Sequence, residues 1–452
     1  MRAITQTRLA AILLVLVTSS SQAKAPAAEI AKLGHSLTPV GAEKAGNADG
    51  TIPEWTGGIE KPIAGYKPGM HHPNPFPDEK PLFVINAGNV SQYADKLSTG
   101  EQEMFKHYPD YTMPVYTTHR SAAFSKEVYA ATLENAKTAE LVSDGNGIAH
   151  AAFTFPFPIP SDPRELIWNH KLKNKTAGSV RYNNQAAVTA GGNFTLVKLR
   201  EEILSPYWTH GQSTETIGNV LFDFYQVVEA PARLAGSVLL VKETVDQVVQ
   251  PRQAWIYNPG QRRVRRAPNV AYDNPGTASD GLRTNDMNDM FNGGLDRYDW
   301  TLVGKKEMYI PYNSYKLHSA DVTAEQMLSP HFLNPAYTRF ELHRVWIVEA
   351  KLKEGMRHIN ARRTFYIDED SYQISLMDHY DNRGNLVRVS EAHAINYYDV
   401  PLFWSTLESH YDLPSGRYLV LGLDNQDPVN AYNLPMKAED FTPSALRKRG
   451  KR

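Results

Sequence analysis

Cysteine is absent from this 452-residue chain. Disulfides, thiolate zinc sites, iron–sulfur clusters, cysteine nucleophiles and a lipid-modified N-terminal cysteine are excluded with it. Neither sign of charge is in excess: 48 Lys and Arg stand against 49 Asp and Glu, a formal charge of −1. No global basic field therefore exists to hold nucleic acid. The phosphate-cradling patterns G-x-x-x-x-G-K-[ST] and G-x-G-x-x-G are missing, as are the G-x-S-x-G elbow and H-E-x-x-H. Long apolar runs are missing too. The longest, Leu9 to Val17, would span only about 14 Å as a helix, against a hydrocarbon core of roughly 30 Å. Arg2 and Arg8 precede or open it and Ser21-Gln22-Ala23 follows, which is the order of a secretory signal peptide. The expectation is cleavage near Ala23 and a periplasmic mature chain that is not lipidated and touches membranes only transiently.

What is present is globular: 42% apolar and 21% charged residues, with 24 Tyr, 16 Phe and 7 Trp. Residues 24–452 read as one elaborated domain with three textures. From 24 to 81 the chain is turn-rich, with prolines at 53, 62, 68, 73, 75, 77 and 81, which favours an extended strap laid on a scaffold. Residues 90–172 read as a mostly helical, lid-like region. Ser98-x-x-Glu101 is a capping-box pattern, Ser125 to Val142 is rich in helix formers, and Asp162-Pro163-Arg164-Glu165 opens a short helix through Trp168. From 180 to 440 the texture is β. Val220, Phe222, Phe224 and Val228 mark one strand, and Trp255 and Tyr257 precede the Asn258-Pro259-Gly260 turn. Phe340, Leu342, Trp346, Val348 and Leu352 share one face of a long strand, with Glu341, His343, Glu349 and Lys351 opposite. Strands joined by short turns, without intervening helices, predict an antiparallel sheet and an α+β fold.

Candidate chemistry is sparse. Asp280 to Asp296 is acidic and Asn-rich, but Met290 stands where a calcium loop needs an oxygen ligand, so a solvated loop is the reading. Asp368-Glu369-Asp370 reads as a wet hairpin turn with ordinary carboxyl groups. His71-His72 lies in the strap, where adjacent side chains diverge, and His379 and His393 read as half-exposed strand histidines, so no metal or cofactor is expected. Arg262, Arg263, Arg265 and Arg266 form the one dense basic cluster inside the fold. They suit an anionic headgroup or a partner, or salt bridges to Asp273 and Asp280. The tail Arg447 to Arg452 reads as disordered. A strongly curved sheet can enclose an apolar space, and Phe222, Phe224, Trp255, Tyr257, Phe340, Leu342 and Trp346 are the side chains assigned to line it.

Several stretches resemble the domain-of-unknown-function family 1329, exported proteins similar to outer-membrane lipoprotein-sorting carriers of the Lol type. The resemblance rests on Leu37 to Gly58 (LTPVGAEKAGNADGTIPEWTGG), Trp255 to Pro268 (WIYNPGQRRVRRAP), Tyr272-Asp273 and Phe291-Asn292-Gly293. It continues through Trp300, Pro311-Tyr312-Asn313, and His343 to Glu391 with RVWIVEA, RRTFYIDEDSYQI and DHYDNRGNLVRVSE. The resemblance implies a curved antiparallel half-barrel covered by helices. It also implies a non-catalytic carrier of a lipid or other hydrophobic molecule, working with a resistance-nodulation-division type exporter and an outer-membrane partner. An adaptor subunit with a solid core, or an envelope lipid or glycan hydrolase, remain the alternatives.

Overall fold

The structure is a computed structural model that describes residues 25–450 apart from 268, 269 and 271. The expected signal peptide lies outside the described residues. Sixteen strands form one open, unclosed sheet. From one edge its order is Phe83–Asn86, Thr112–Val115, Phe340–Leu352, Arg362–Asp368, Ile374–Tyr380, Leu386–Tyr397, Leu402–Asp412 and Arg417–Leu421. It continues with Gln185–Val188, Leu196–Leu204, Val220–Ala230, Val238–Thr244, Gln253–Asn258 and Arg263–Arg266. Tyr298–Pro311 pairs beside Phe340–Leu352, and Gly178–Tyr182 beside Leu196–Leu204. Pairing is antiparallel except at a single parallel bridge, Phe340 to Val115. The run from Phe340 to Leu421 is a meander of adjacent strands, as short polar turns dictate. At one of them Asp381 accepts from the Arg383 and Asn385 amides, both at 2.9 Å.

The helices begin where the caps say. Ser98 and Glu101 close a capping box on Thr99–His107, and Asp162 and Glu165 close another on Pro163–Leu172, which runs a turn beyond Trp168. Ser125 caps Lys126–Thr138. The helix stops four residues short of Val142, because Glu140–Val142 pairs with Gly147–Ala149 across a turn in which Ser143, Asp144 and Gly145 all have positive φ.

Both sheet faces are covered in the centre. Ile374–Tyr380 and nearly all of Leu386–Tyr397 are buried, so apolar and polar alternates are both internal. Thr99–His107 packs on the face that carries Asp378 and Val389. The opposite face is filled by the 280–296 segment, with Met287, Met290 and Phe291 in the main core. That segment is not the solvated loop its composition predicts. Asp286 ion-pairs with Arg363 at 2.8 Å and bonds His358 at 3.0 Å, which draws the acidic loop inside.

Residues 31–81 carry only turns and isolated bridges, and the strap is laid across the scaffold. Arg120 donates to the carbonyls of Glu43 (2.7 Å), Lys44 (3.0 Å) and Pro53 (3.3 Å). Asn396 donates to the Ile59 carbonyl at 2.7 Å. Gly41 and Gly58 adopt positive φ, and a Cβ there would fall 1.7 Å from the Pro158 oxygen and 2.3 Å from the Ala122 oxygen. At the other terminus, the tail expected to be disordered forms the helix Pro443–Arg449, with Arg449 bridged to Glu202 at 2.6 Å. The last two residues of that tail lie outside the described residues.

Candidate functional site

Three strands at the far end of the sheet, Val220–Ala230, Val238–Thr244 and Gln253–Asn258, leave one face partly open. Cross-strand register puts Phe224 opposite Val241, Gln226 opposite Leu239, and Leu239 opposite Ile256. Val270 and the segment from Asn274 to Asn285 stand over this row. They bound a groove of about 410 Å³, lined also by Val228, Ala267, Pro275 and Thr277. Ile256 remains 45% exposed at its mouth. A volume of this size suits a small organic ligand. Phe222 and Phe224 stand in a smaller pocket adjoining the groove, beside Arg252 and Arg283.

Behind these phenylalanines lies a buried charged floor. Lys175 and Trp404 bind Asp289, the indole N–H at 2.7 Å, and the Arg181 guanidinium stacks 3.7 Å from the centre of the Trp404 ring. Burial pushes Lys173 down to about 7 and Lys171 to about 8. For Asp289 burial acts in the opposite sense, but Lys173 and Lys175 hold it well below the usual carboxylate range.

The structure brings only some of the assigned residues together. Phe222 and Phe224 line a smaller pocket that adjoins the groove and shares Gln226, Leu239 and Val270 with it. Trp255 and Tyr257 lie on the reverse face, packed with Tyr225 and Leu240 under Leu446 of the C-terminal helix. Phe340 and Leu342 belong to a separate core with Met104 and Tyr309. Trp346 is half-buried, with the Lys305 ammonium 4.5 Å over its ring. Among the basic cluster, Arg265 pairs opposite Ile256 and Arg263 opposite Asn258, so both stand on the groove's face. Arg266 stands opposite Trp255, and Arg262 occupies the turn with φ 53°. Neither Asp273 nor Asp280 takes these arginines: Asp280 pairs with Arg417, and Asp273 accepts from the Ile359 amide.

Two histidine–carboxylate clusters lie elsewhere; the sequence singles out Asp368–Asp370 and His71-His72 but not the residues that join them, His343, His318 and Asp424. In the first, His343, Asp368 and Asp370 are all buried, the ring of Tyr312 stacking 3.8 Å from that of His343. The Asp368–Asp370 turn is thus not wet. Arg120 binds both oxygens of Asp370, at 2.9 and 2.6 Å, under the strap. Burial, and then the charge of Asp370, push the Asp368 carboxyl up. In the second, His71 and His72 converge on His318 instead of diverging, with Asp424 beside them. No regular strand contains His71 or His72, so alternation across a strand does not apply to them. His379 and His393 do not meet. His379 is paired opposite Arg388 and bonds Ser390 at 2.9 Å, while His393 stands opposite Leu407 and bonds Glu391 at 3.2 Å.

An open antiparallel sheet with few helices defines an α+β protein, and a partly open groove lies at one end of its sheet. The chain belongs to the family described as "Protein of unknown function (DUF1329)", which matches residues 84–447. It is 50% identical over 441 residues to the uncharacterized protein PA3922 of Pseudomonas aeruginosa, covering 97% of each chain. Among solved structures it is similar to a putative outer membrane lipoprotein-sorting protein domain from Vibrio parahaemolyticus (12% identity, TM-score 0.42, 60% of this chain and 92% of that one). A DUF1329 family protein from Desulfovibrio piger matches with 16% identity, TM-score 0.42 and the same two coverages, 60% and 92%. The LolA superfamily protein NE2245 from Nitrosomonas europaea matches with 12% identity and TM-score 0.38, over 63% of this chain and 98% of that one.

Proposed function

We propose that this protein is a periplasmic carrier of an amphiphile. Its apolar part lies in the groove over Val228, Leu239 and Ile256, and its anionic head meets Arg263 and Arg265. The observation that carries this reading is the groove itself, about 410 Å³ beside an apolar row that reaches the surface at Ile256. Each methylene taken from water contributes roughly 0.8 kcal/mol, so a partly enclosed chain is held through transit. The polar lining groups Gln226, Asn274, Thr277 and Asn285 are amides and a hydroxyl, which orient a ligand by hydrogen bonds. An inner-membrane exporter and an outer-membrane partner would be the donor and acceptor of the cargo, as the family resemblance implies.

The test is native mass spectrometry of the mature protein taken gently from periplasm, followed by organic extraction and by titration with a fluorescent fatty acid. An added mass that extracts as a hydrophobe, and probe binding lost in Leu239→Glu, is the expected result. A second reading, an adaptor working by surface contacts, is favoured by the filled trough at residues 280–296. A chain that carries nothing and takes up no probe would replace the carrier with the adaptor.

A further inference from the structure

The second histidine cluster is built as a ligand set, and it lies apart from the groove. His72 and His318 face each other nitrogen to nitrogen, Nδ1 to Nε2, at 3.1 Å. Each ring is fixed from behind. The other nitrogen of His72 bonds Asp399 at 2.7 Å, and Asp399 in turn accepts from the Tyr66 hydroxyl at 2.7 Å. The other nitrogen of His318 bonds the Thr406 hydroxyl at 2.9 Å. A carboxylate or hydroxyl on the rear nitrogen is what aims a metal-binding imidazole. Two ligands on a tetrahedral ion with bonds of 2.0–2.1 Å stand about 3.3 Å apart, close to the spacing found.

Further donors converge on the same place. One ligand atom each from His71, His318 and Asp424 lie within 4.8 Å of one another. Asp424 is 1% exposed, and its Oδ1 has no hydrogen-bond partner among the described residues. The Nδ1 of His71 is likewise buried without a hydrogen bond of normal geometry, although the His318 backbone lies beside the ring. A simple hydrogen bond between His72 and His318 would satisfy those two rings and leave both these atoms unpaired, at a cost that buried polar groups seldom carry. Arg181 does not fill the gap with its donors on one side, since its guanidinium is turned to the Trp404 ring and the Ser405 carbonyl. His71 is partly exposed and gives an ion a way in.

We propose that His71, His318 and Asp424, the three whose ligand atoms lie mutually close, bind a divalent transition metal of the zinc class, with His72 joining them from beside His318, and that the metal fastens the strap to the Tyr315–His318 helix and to the segment after the last sheet strand. Imidazole-rich sets with one carboxylate suit zinc and its neighbours, whereas magnesium and calcium take oxygen-dominated sets. A metal here orders chain segments and makes no demand on the groove, so it stands whether or not a carrier is found.

The experiment uses the mature protein, stripped with a chelator and titrated with zinc alone against a chromogenic competitor. One zinc per chain is expected, with X-ray absorption on the loaded wild type reporting nitrogen and oxygen neighbours at about 2.0–2.1 Å with several imidazoles. Asp399→Asn should weaken zinc binding by about 10- to 100-fold. His318→Gln and Asp424→Asn should weaken it further, and His343→Gln should leave it unchanged. No zinc uptake by wild type, or an absorption spectrum without imidazole, would overturn the proposal whatever the variants do. So would folded His318→Gln that binds zinc as wild type does, or loss of the zinc in His343→Gln.

Discussion

The clusters around His343 and His318 are made from the same residue types and reach opposite states. At His343, Arg120 occupies both oxygens of Asp370, so a side-chain cation already supplies the positive charge and also grips the strap. At His318, among the described residues, no arginine bonds the carboxylate; Arg181 acts on Asp424 through its charge, and Asp424 Oδ1 and His71 Nδ1 are left without hydrogen bonds. The difference shows that a histidine–carboxylate count does not define a metal site. Both clusters keep an unpartnered buried carboxylate oxygen, on Asp368 and on Asp424, and what separates them is the arginine bonded to a carboxylate at His343.

The comparison can be broken most forcefully at Arg120. Arg120→Met leaves Asp370 buried without its partner and releases three strap carbonyls, so a loss of about 3–5 kcal/mol is expected in urea unfolding. The His318 side should respond to metal instead. At zinc 100-fold above its dissociation constant, the wild type should gain about 2.7 kcal/mol and Asp424→Asn much less, as read by thermal melting at fixed zinc. Protons provide a finer contrast. Asp368 is raised in the folded protein by burial, so the folded state holds its proton more readily than the unfolded chain does. Its contribution to stability is complete below about pH 4 and is lost as pH rises, with a slope of at most about 1.4 kcal/mol per pH unit. Asp368→Asn should remove that slope in a pH series of denaturant melts. The smallest stability effect belongs to Arg263 and Arg265, which are exposed. Arg263→Glu with Arg265→Glu should shift unfolding by no more than about 0.5 kcal/mol per site, while removing the preference for anionic over neutral probes that the proposed carrier role requires.

Local signals were legible where local physics decides. The Ser98 and Asp162 caps, the turn at Asp381, and the adjacent antiparallel strands after Phe340 all follow from short-range patterns. The lack of regular elements from 31 to 81 agrees with its prolines and turn residues. Burial of polar segments was not legible. Asp286 is internal because His358, 72 residues away, and Arg363 are there to meet it, and no composition window contains both partners. The Asp368–Asp370 turn looks wet because Arg120, 250 residues earlier, is invisible to it. His72 and His318 are 246 residues apart, and neither carries a spacing motif. Alternation found the aromatic strand positions but not which of two buried faces each one joins, since both faces of the central sheet are covered. Phe222 and Tyr257, read as one set, sit on different end strands whose mutual register alternation alone does not give, and they lie on opposite sides.

The strap also sets an order of events for the nascent chain. Its segment from Val40 to Pro73 is made among the first, yet it is tied to residues made near the end. Tyr66 meets Asp399 across 333 positions, and Tyr398 donates to the Pro73 carbonyl across 325. Contacts of such separation form late, because the loop must close before they return anything. The strap therefore stays unbraced at Tyr66 and Pro73 until the residues around 398 have been made.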